Sequence, residues 1–516
     1  MLTNVSHAGG VENVDEIQFR TPFGYMFEYQ ANEADALLPV AERTEDALLM
    51  LGDAMGEPGT DAALDSDIPA IFTYLGQFID HDVTARTDRD TGISRIAMAD
   101  GRPRTITPLT PQQVVAHLKN GRRPQLDLDS VYGDGPGLLS GAAIEANTEA
   151  QALYTSDKKL DVQTVGDGFD LPRDGRRAKI ADMRNDENLN VTQLHAAFLA
   201  FNNVVFDALS SGGLSPIPAY IEARRYVRWA YQYLVVNDYL PHVCDPNVVH
   251  DVLVNGPRFF GPGTGGDNLF MPLEFATAGF RFAHSMVRQS YTIRPGTTRT
   301  ITDLLGTSTE LGPRNNKTVD LLAEAPDGSF QLDPANIIHW SNFAEFEGHP
   351  PPQKARKIDP RLAEGLFDLS FEETAVGTMI RHLAKRNLMR GYLLGIPTGE
   401  AAAAALGIVP LSEAELLTNE KPDIADAIAH GRFQRRTPLW YYILREAQVQ
   451  KGGNSLGAVG STIVAETLIG FVKHDPNSYL NNQHRDAVTD NGIVCPGCTD
   501  PVATIAHMLS CAGASI

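Results

Sequence analysis

A histidine flanked by carboxylates ends an apolar segment of the chain, Gly76-Gln-Phe-Ile-Asp-His-Asp-Val-Thr84. Gln77 and His81 are four residues apart, so a helix would place both on one face. Asp80 and Asp82 stand on either side of the histidine. Polar groups at the buried end of a helix cost stability unless they have partners. The cluster therefore favours a site for acid–base chemistry over a core histidine bonded only to the backbone.

A second polar segment, Asp182-Met-Arg-Asn-Asp-Glu-Asn188, precedes a predicted helix. An arginine in a loop at a helix start, such as Arg184, is well placed to reach an anionic oxygen. The spacing alone leaves a second interpretation open, in which this segment is only a solvated run of charges.

A third segment, Phe280-Arg-Phe-Ala-His284, places Arg281 and His284 three residues apart on a predicted apolar helix. A neutral imidazole can bind a metal through one nitrogen while its other nitrogen donates to an orienting acceptor. Asn387 continues the apolar face of a later predicted helix and is a candidate acceptor. A core histidine and a structural amide remain the alternative interpretation of these two residues.

A fourth segment, Leu126-Asp-Leu-Asp-Ser-Val-Tyr-Gly133, carries two carboxylates. In an extended chain Asp127 and Asp129 point the same way. Carboxylates with nearby backbone carbonyls suit Ca²⁺, which binds six to eight oxygens. A polar turn is an equally good interpretation of this spacing.

Together these segments resemble the peroxidase–cyclooxygenase superfamily, the animal-type haem peroxidases similar to myeloperoxidase and lactoperoxidase. Two further segments share the resemblance, namely Leu383-Ala-Lys-Arg-Asn-Leu-Met-Arg390 and the stretch from Arg225 to Pro241, which ends in Asp-Tyr-Leu-Pro. The blocks occur in the family's order from about residue 65 to 395. The resemblance implies a mainly α fold: one large haem peroxidase domain with central helices around a haem and very little β structure.

The resemblance also implies a role for each residue around the haem. The catalytic residues would be the distal acid–base group, the distal cation and a residue near the halide site, namely His81, Arg184 and Gln77. The proximal iron ligand would be His284, with Asn387 as its hydrogen-bond partner. The haem b would be ester-linked through Asp80 and Glu187, and its propionates would face Arg281 and Arg390. The Ca²⁺ ligands would be Asp82, Asp127 and Asp129.

The implied activity is H₂O₂-dependent oxidation of halides, thiocyanate and phenolic donors. Some members carry a methionine after the linking glutamate, which forms a third haem link, but this chain has Asn188 there. We therefore expect a less oxidising haem, with bromide and iodide better substrates than chloride. Arg123 stands where the family has a hydroxyl Ca²⁺ ligand, so the ion would use the backbone carbonyl or a different shell.

Three alternative functions remain for comparison. A haem fatty-acid dioxygenase would carry a radical tyrosine where this chain has Arg281. An adhesion or matrix protein that uses the fold as a scaffold could lose His81 or Arg184, and both are present. The pairs His81-Asp82 and His474-Asp475 hint at a metal-dependent phosphohydrolase, which would need a further histidine and aspartate on neighbouring helices.

Helical periodicity dominates the elements that must position these residues. Asp67 and Pro69 are predicted to begin the helix of the first segment, and Asn190 to cap the helix after the second. Further helices are predicted over 219–240, 273–289, 372–389, 438–448 and 461–473. A short strand is predicted over Ser290-Tyr-Thr-Ile293.

The 516 residues carry 43 Lys+Arg and 64 Asp+Glu, a net charge of −21. This balance argues against a nucleic-acid partner, which needs concentrated positive charge. There is no apolar run long enough to span a membrane, and no signal peptide is visible, so the chain is expected to be cytosolic or exported by another route. The oligomeric state is left open.

We expect three regions along the chain. These are an extended arm over 1–30, the haem peroxidase domain over 31–484 and a tail over 485–516. The tail holds Cys495, Cys498, His507 and Cys511. These residues could bind Zn²⁺, form a disulfide or remain free thiols.

Overall fold

The structure is a computed structural model that describes residues 3–5, 11–13, 21–57, 59, 62–84, 107–133, 159–261, 269–305, 319–369, 381–482 and 485–516. It is mainly α, as the sequence predicts. The helices of eight or more residues are α1 (Glu42–Ala54), α2 (Ile71–Val83), α3 (Leu189–Ser211), α4 (Pro216–Leu234), α5 (Pro246–Asn255), α6 (Leu383–Leu393), α7 (Gly399–Leu406), α8 (Pro422–Gly431), α9 (Leu439–Lys451), α10 (Ala458–His474) and α11 (Ile505–Ala512). None of these helices is long and apolar enough to span a membrane.

The described strands are short and form separate small sheets. Thr21–Gly24 pairs with Lys119–Asn120 and Met271–Pro272. The antiparallel pairs are Thr3–Val5 with Val11–Asn13, Asp65–Pro69 with Lys354–Arg356, Gln163–Val165 with Gly168–Asp170, Arg173–Asp174 with Arg177–Ala178, Ser290–Arg294 with Thr297–Thr300, Leu322–Glu324 with Phe330–Leu332, and Val488–Thr489 with Gly492–Ile493. The strand predicted over 290–293 is confirmed.

Helix α2 begins later than its capping signals predict. The expected start at Asp67 and Pro69 is wrong, because Asp65–Pro69 is a strand and the helix starts at Ile71. The strand is held by a neighbouring segment, since Ser66 Oγ donates to the Ala355 carbonyl at 3.0 Å. Tertiary pairing thus overrides the local helix signal, and α2 itself is buried along almost its whole length.

The cap of α3 is also displaced from its predicted position. Asn188, not Asn190, is the N-cap, and its side chain accepts from the Val191 N–H at 3.1 Å. Asn190 lies in the first turn and is fully buried. The helix predicted over 219–240 is confirmed as α4, which continues through a π-helical turn at Val235–Tyr239.

The helix predicted over 273–289 is broken. A short helix over Leu273–Thr277 is followed by a 3₁₀ helix over Gly279–His284. Gly279 allows a close approach to α10, because a Cβ there would lie 2.7 Å from Ile463 Cγ2. Helices α9 and α10 confirm the helices predicted over 438–448 and 461–473. The helix predicted over 372–389 is described only in part, as Leu383–Leu393, because residues 370–380 lie outside the described residues.

The C-terminal tail packs on the helical body. Helix α11 lies against α3, and the Ile505 N–H donates to Asp238 Oδ2 at 2.7 Å. Cys498 and Cys511 form a disulfide, whereas Cys495 is a buried free thiol. The disulfide uses two of the four candidate zinc ligands. Of the three alternatives for this cluster, a Zn²⁺ site, a disulfide or free thiols, the structure has the disulfide.

Candidate functional site

Six of the residues predicted to do chemistry line one cavity of about 810 Å³, a volume that includes space open to solvent. Its wall combines α2, the start of α3 and the 3₁₀ helix Gly279–His284. The polar lining includes Gln77, Asp80, His81, Glu187, Arg281 and His284. Most of the remaining wall is apolar, including Val287, Ile301, Leu305, Leu366, Leu369 and Leu383. Arg184 and Asn387 are not among the described residues that line it.

His81 is a buried, neutral imidazole on the last turn of α2. Its side chain is 1% exposed, and its Nδ1 lies 2.8 Å from Asn185 Oδ1. Burial, and then the positive charge of Arg184, lower the pKa of His81 to about 4. The ring is therefore uncharged at neutral pH and able to accept a proton.

Arg184 is fixed beside this histidine by a buried carboxylate. Its Nε and Nη2 bind the two oxygens of Asp182 at 3.0 and 2.6 Å. Its Nη2 also donates to the His81 carbonyl at 3.0 Å. Arg122 binds the same carboxylate from the other side. Burial alone would raise the pKa of Asp182, but the two arginines hold it well below its usual range.

Gln77 contacts Asn188, the residue directly before α3. Asn188 Nδ2 donates to Gln77 Oε1 at 2.9 Å. Asn188 also caps α3 with its other side-chain atom. The amide thus ties α2 to α3 at the edge of the cavity.

His284 and Asn387 are in direct contact, as the sequence predicts. Asn387 Nδ2 lies 2.8 Å from His284 Nδ1. Burial, and then the charge of Arg281, lower the pKa of His284 to about 3, so the imidazole is neutral. Asn387 Oδ1 is buried and has no hydrogen-bond partner among the described residues.

Rotating the Asn387 amide by half a turn would let Oδ1 accept from a proton on His284 Nδ1. That exchange pairs the orphaned oxygen and leaves the lone pair on His284 Nε2. A metal needs that lone pair. The arrangement of these two side chains therefore fits a metal-binding imidazole.

Asp80 and Arg281 form an ion pair across the cavity wall, with 3.1 Å between Asp80 Oδ2 and Arg281 Nη1. Burial acts to raise the pKa of Asp80, but Arg281 and then His81 lower it below its usual value. Glu187 is 5% exposed and lines the same cavity. Arg390, on α6, is buried but is not among the described residues that line the cavity.

Asp82, in the last turn of α2, lies against the segment that carries Asp127 and Asp129. The extended geometry predicted for Asp127 and Asp129 is wrong, because Leu128 has a left-handed backbone (φ 60°) and Asp129 begins a helical turn. Asp82 accepts from the N–H groups of Leu128 and Ser130, each at 3.2 Å. Burial, and then the charge of Asp129, raise the pKa of Asp82 to about 7.

These carboxylates are only partly satisfied. Asp127 Oδ1 and both oxygens of Asp129 are buried without a hydrogen bond from any described residue, although Arg224 Nη2 lies 3.7 Å from Asp129. Burial, and then Asp129 and Asp82, raise the pKa of Asp127 well above its usual range. No group of three or more His, Cys, Asp or Glu side chains in the described ranges is arranged to hold a metal ion.

Sequence reasoning missed four residues that support the site. Asp182 and Asn185 stand in the polar segment before α3, whose charge pattern was the only available signal. Arg122 lies 60 residues before Asp182, and His195 lies on α3, ten residues after Asn185; neither gave a signal in the sequence. All four are buried, and they hold His81 and Arg184 in place.

A family comparison supports the resemblance. The model of the animal haem peroxidase family matches residues 126–434, more than half of the chain. Arg184, Glu187, His284 and Asn387 lie within the match, whereas the segment around His81 precedes it. No curated protein sequence matches the chain significantly.

Solved structures share the fold at low sequence identity. Peroxidase A from Dictyostelium discoideum has a TM-score of 0.58 and 14% identity, covering 95% of this chain and 96% of that one. The fatty acid alpha-dioxygenase of Oryza sativa has a TM-score of 0.57 and 14% identity, covering 100% of this chain and 85% of that one. The Arabidopsis thaliana alpha-dioxygenase has a TM-score of 0.53 and 14% identity, covering 100% and 82%.

Replacing Asp182 by Asn should destabilise the protein strongly, because the buried guanidinium group of Arg122 and the part-buried one of Arg184 lose their counterion. Breaking a buried ion pair from one side costs about 3–5 kcal/mol. Chemical unfolding at pH 7 measures this loss. The depressed pKa of Asp182 contributes stability above the unfolded pKa of about 3.9, and that stability is lost as the pH falls. The difference in the free energy of unfolding between wild type and Asp182→Asn should therefore become smaller at acid pH.

Asp207→Asn is the matched control, because Asp207 forms an exposed ion pair with Lys159. Exposed pairs contribute about 0–1 kcal/mol. Equal losses in the two variants would contradict the role given to Asp182.

Proposed function

Because the chain belongs to the animal haem peroxidase family, we propose that it is an H₂O₂-dependent haem peroxidase. The observation that carries the proposal is the pair of neutral histidines on one cavity, His81 and His284. Each has its Nδ1 in contact with an asparagine amide, Asn185 or Asn387. One histidine would serve as the acid–base group and the other as the iron ligand.

The residues present fit a haem. The cavity is large and mostly apolar, which suits a porphyrin face. His284 would hold the iron, and the orphaned Asn387 Oδ1 would accept from its Nδ1–H once the amide is rotated. Arg281 and Arg390 would bind the propionates, for which Arg281 must exchange its ion pair with Asp80. When bound, haem b supplies the redox-active iron that peroxide oxidises.

His81 would move the proton that peroxide cleavage requires. Its neutral ring would take a proton from one oxygen of hydrogen peroxide and return it to the other oxygen, which would leave as water. Arg184 would supply positive charge beside the breaking O–O bond. Asp182 and the His81 carbonyl hold that guanidinium in one orientation.

The reducing substrates would be halides, thiocyanate and phenols. Asn188 cannot form a sulfonium link, and its side chain is engaged with Gln77 near the proposed halide position. We therefore propose bromide and iodide, rather than chloride, as the halides oxidised. A steady-state assay with H₂O₂ and each donor in turn tests this order.

A fatty-acid dioxygenase is the second candidate, since two of the structural neighbours carry that name. The resemblance places a radical tyrosine at the position of Arg281. Here that position holds an arginine paired with Asp80 and with the Ala276 carbonyl. Oxygen uptake with palmitic acid in the absence of a peroxide-consuming donor would favour the dioxygenase.

His81→Ala should leave haem bound and slow the reaction with H₂O₂ by about 10²–10⁴-fold, the usual contribution of acid–base catalysis. In wild type the rate constant should be flat from pH 8 to 5. It should fall below about pH 4, where His81 becomes protonated. Stopped-flow mixing measures both effects. His430→Ala, at an exposed position on α8, is the control, and an unchanged rate in His81→Ala would reject the assignment.

His284→Ala should remove the iron–imidazole stretch from the resonance Raman spectrum, because the proposed fifth ligand is gone. Asn387→Ala should retain the stretch at a shifted frequency, since a hydrogen-bond partner tunes the ligand without replacing it. An intact stretch in His284→Ala would refute the ligation.

Asp80 and Glu187 should form ester links to haem methyl groups after reaction with peroxide, because an unreactive methyl must first be oxidised. Both carboxylates are buried in the cavity wall. Acid–acetone extraction followed by mass spectrometry of haem peptides should find two links in wild type and one in Glu187→Gln. Haem that stays fully extractable after repeated turnover would refute the links and leave the peroxidase proposal standing.

Ca²⁺ should bind at Asp82, Asp127 and Asp129, where buried carboxylate oxygens lack partners among the described residues. Small rearrangement is required, because Asp82 now accepts two backbone N–H groups. Chelation should lower the melting temperature of wild type, and Ca²⁺ should restore it better than Mg²⁺. Asp127→Asn with Asp129→Asn should melt identically with and without chelator. If chelation leaves the melting temperature of wild type unchanged, the proposed Ca²⁺ site is excluded.

A further inference from the structure

A continuous chain of side-chain hydrogen bonds runs from His81 into the core through Asn185 to His195. His81 Nδ1 lies 2.8 Å from Asn185 Oδ1. Asn185 Nδ2 lies 2.8 Å from His195 Nδ1. The three side chains are between 0% and 1% exposed, so bulk water does not compete for these bonds.

The chemistry of the amide fixes the direction of both bonds. An amide oxygen only accepts and an amide nitrogen only donates. His81 must therefore carry its proton on Nδ1, which leaves the lone pair on Nε2. His195 must present its Nδ1 lone pair to the amide and carry its own proton on Nε2.

We propose that Asn185 and His195 are positioning residues that lock His81 in the Nδ1–H tautomer. This inference rests on the proposed peroxidase function, in which Nε2 of His81 must receive a proton. Asn185 acts directly on the ring of His81. His195 acts one step further away, because its Nδ1 accepts from Asn185 Nδ2 and this bond holds Oδ1 toward His81.

His195 is otherwise an unfavourable residue at its position. Its Nε2 is buried with no hydrogen-bond partner among the described residues, and its ring packs edge-on against Phe78. A buried polar atom without a partner costs stability that an apolar side chain would not. Burial lowers the pKa of His195 to about 3, which keeps the ring neutral. Among the described residues, Asn185 is the hydrogen-bond partner of the His195 ring.

The opposite orientation of the amide would have the opposite effect on catalysis. With Nδ2 toward His81, the His81 proton would move to Nε2 and block it as a base. His195 would then carry its proton on Nδ1. The two arrangements have the same number of hydrogen bonds, so they are distinguished by the tautomers of the two histidines.

The first test reads these tautomers without haem. Long-range ¹⁵N–¹H spectra of histidine-labelled apoprotein separate Nδ1–H from Nε2–H rings. Signals are assigned by their loss in His81→Gln and His195→Phe. We expect the Nδ1–H form for His81 and the Nε2–H form for His195. The reverse pair of tautomers would overturn the proposal.

The second test compares variants in the haem-loaded protein. Asn185→Leu keeps the size but neither hydrogen bond, and should slow the reactions with H₂O₂ and with cyanide about 10²-fold. Asn185→Asp keeps an acceptor for His81 Nδ1–H and should stay within about threefold of wild type. The rates of His195→Phe should lie between those of Asn185→Leu and Asn185→Asp, because the Asn185 amide would then adopt both orientations. Hydrogen peroxide and HCN would both give a proton to His81, so a decrease in both rates reports on this residue.

Asn202→Leu is the matched control, since Asn202 is a fully buried amide on α3 whose Oδ1 accepts from the Tyr132 hydroxyl. It should leave both rates unchanged. Asn185→Leu rates within threefold of wild type, or Asn185→Asp rates as low as those of Asn185→Leu, would overturn the proposal. If Asn185→Asp does not fold, the rates of His195→Phe decide: the proposal requires them to lie between those of wild type and Asn185→Leu.

The two proposals fail in different ways. A wild-type protein that binds haem and cyanide but does not react with H₂O₂ would reject the peroxidase function. The cyanide rates and the apoprotein tautomers would still test the role of Asn185.

Discussion

One buried carboxylate holds the distal side of the cavity together. Asp182 binds Arg184 and Arg122, and both guanidinium groups also donate to the His81 carbonyl. Three elements distant in the sequence therefore meet at the end of α2. Because the carboxylate is fully buried, its charge can be retained only while both arginines are present. The position of His81 relative to Arg184 depends on this network.

An asparagine amide contacts Nδ1 of a histidine on each side of the cavity, but the two amides face their histidines with opposite ends. Asn185 presents Oδ1 to His81, whereas Asn387 presents Nδ2 to His284. The orientation of each amide sets which ring nitrogen of its histidine carries the proton. Under the proposed function, the Asn387 amide would rotate so that His284 Nε2 keeps the lone pair that an iron needs.

The regions farther from the cavity explain how the helices hold this geometry. The strand Asp65–Pro69 pairs with Lys354–Arg356 and sets the point at which α2 can begin. The capping amide of Asn188 joins α2 to α3 through Gln77. The tail helix α11 packs against α3 and is tied to its own loop by the Cys498–Cys511 disulfide. Helices α2 and α3 are therefore held by segments that lie before and after them in the sequence.

The sequence by itself determined the helical class, the helices α2, α3, α4, α9 and α10, and part of the polar lining of the cavity. Those features are local, because apolar periodicity and unusual polar clusters can be read along one segment. The starts of α2 and α3 were predicted at the wrong residues, and two helices that are separated at Ala278 were predicted as one. At these places contacts with distant segments override local propensity. Arg122 and His195 could not be found from the sequence, since each is functional only through a partner that the fold brings near. The tertiary structure alone decided these partnerships, because a buried hydrogen bond depends on distance and direction, and neither is encoded in residue spacing along the chain.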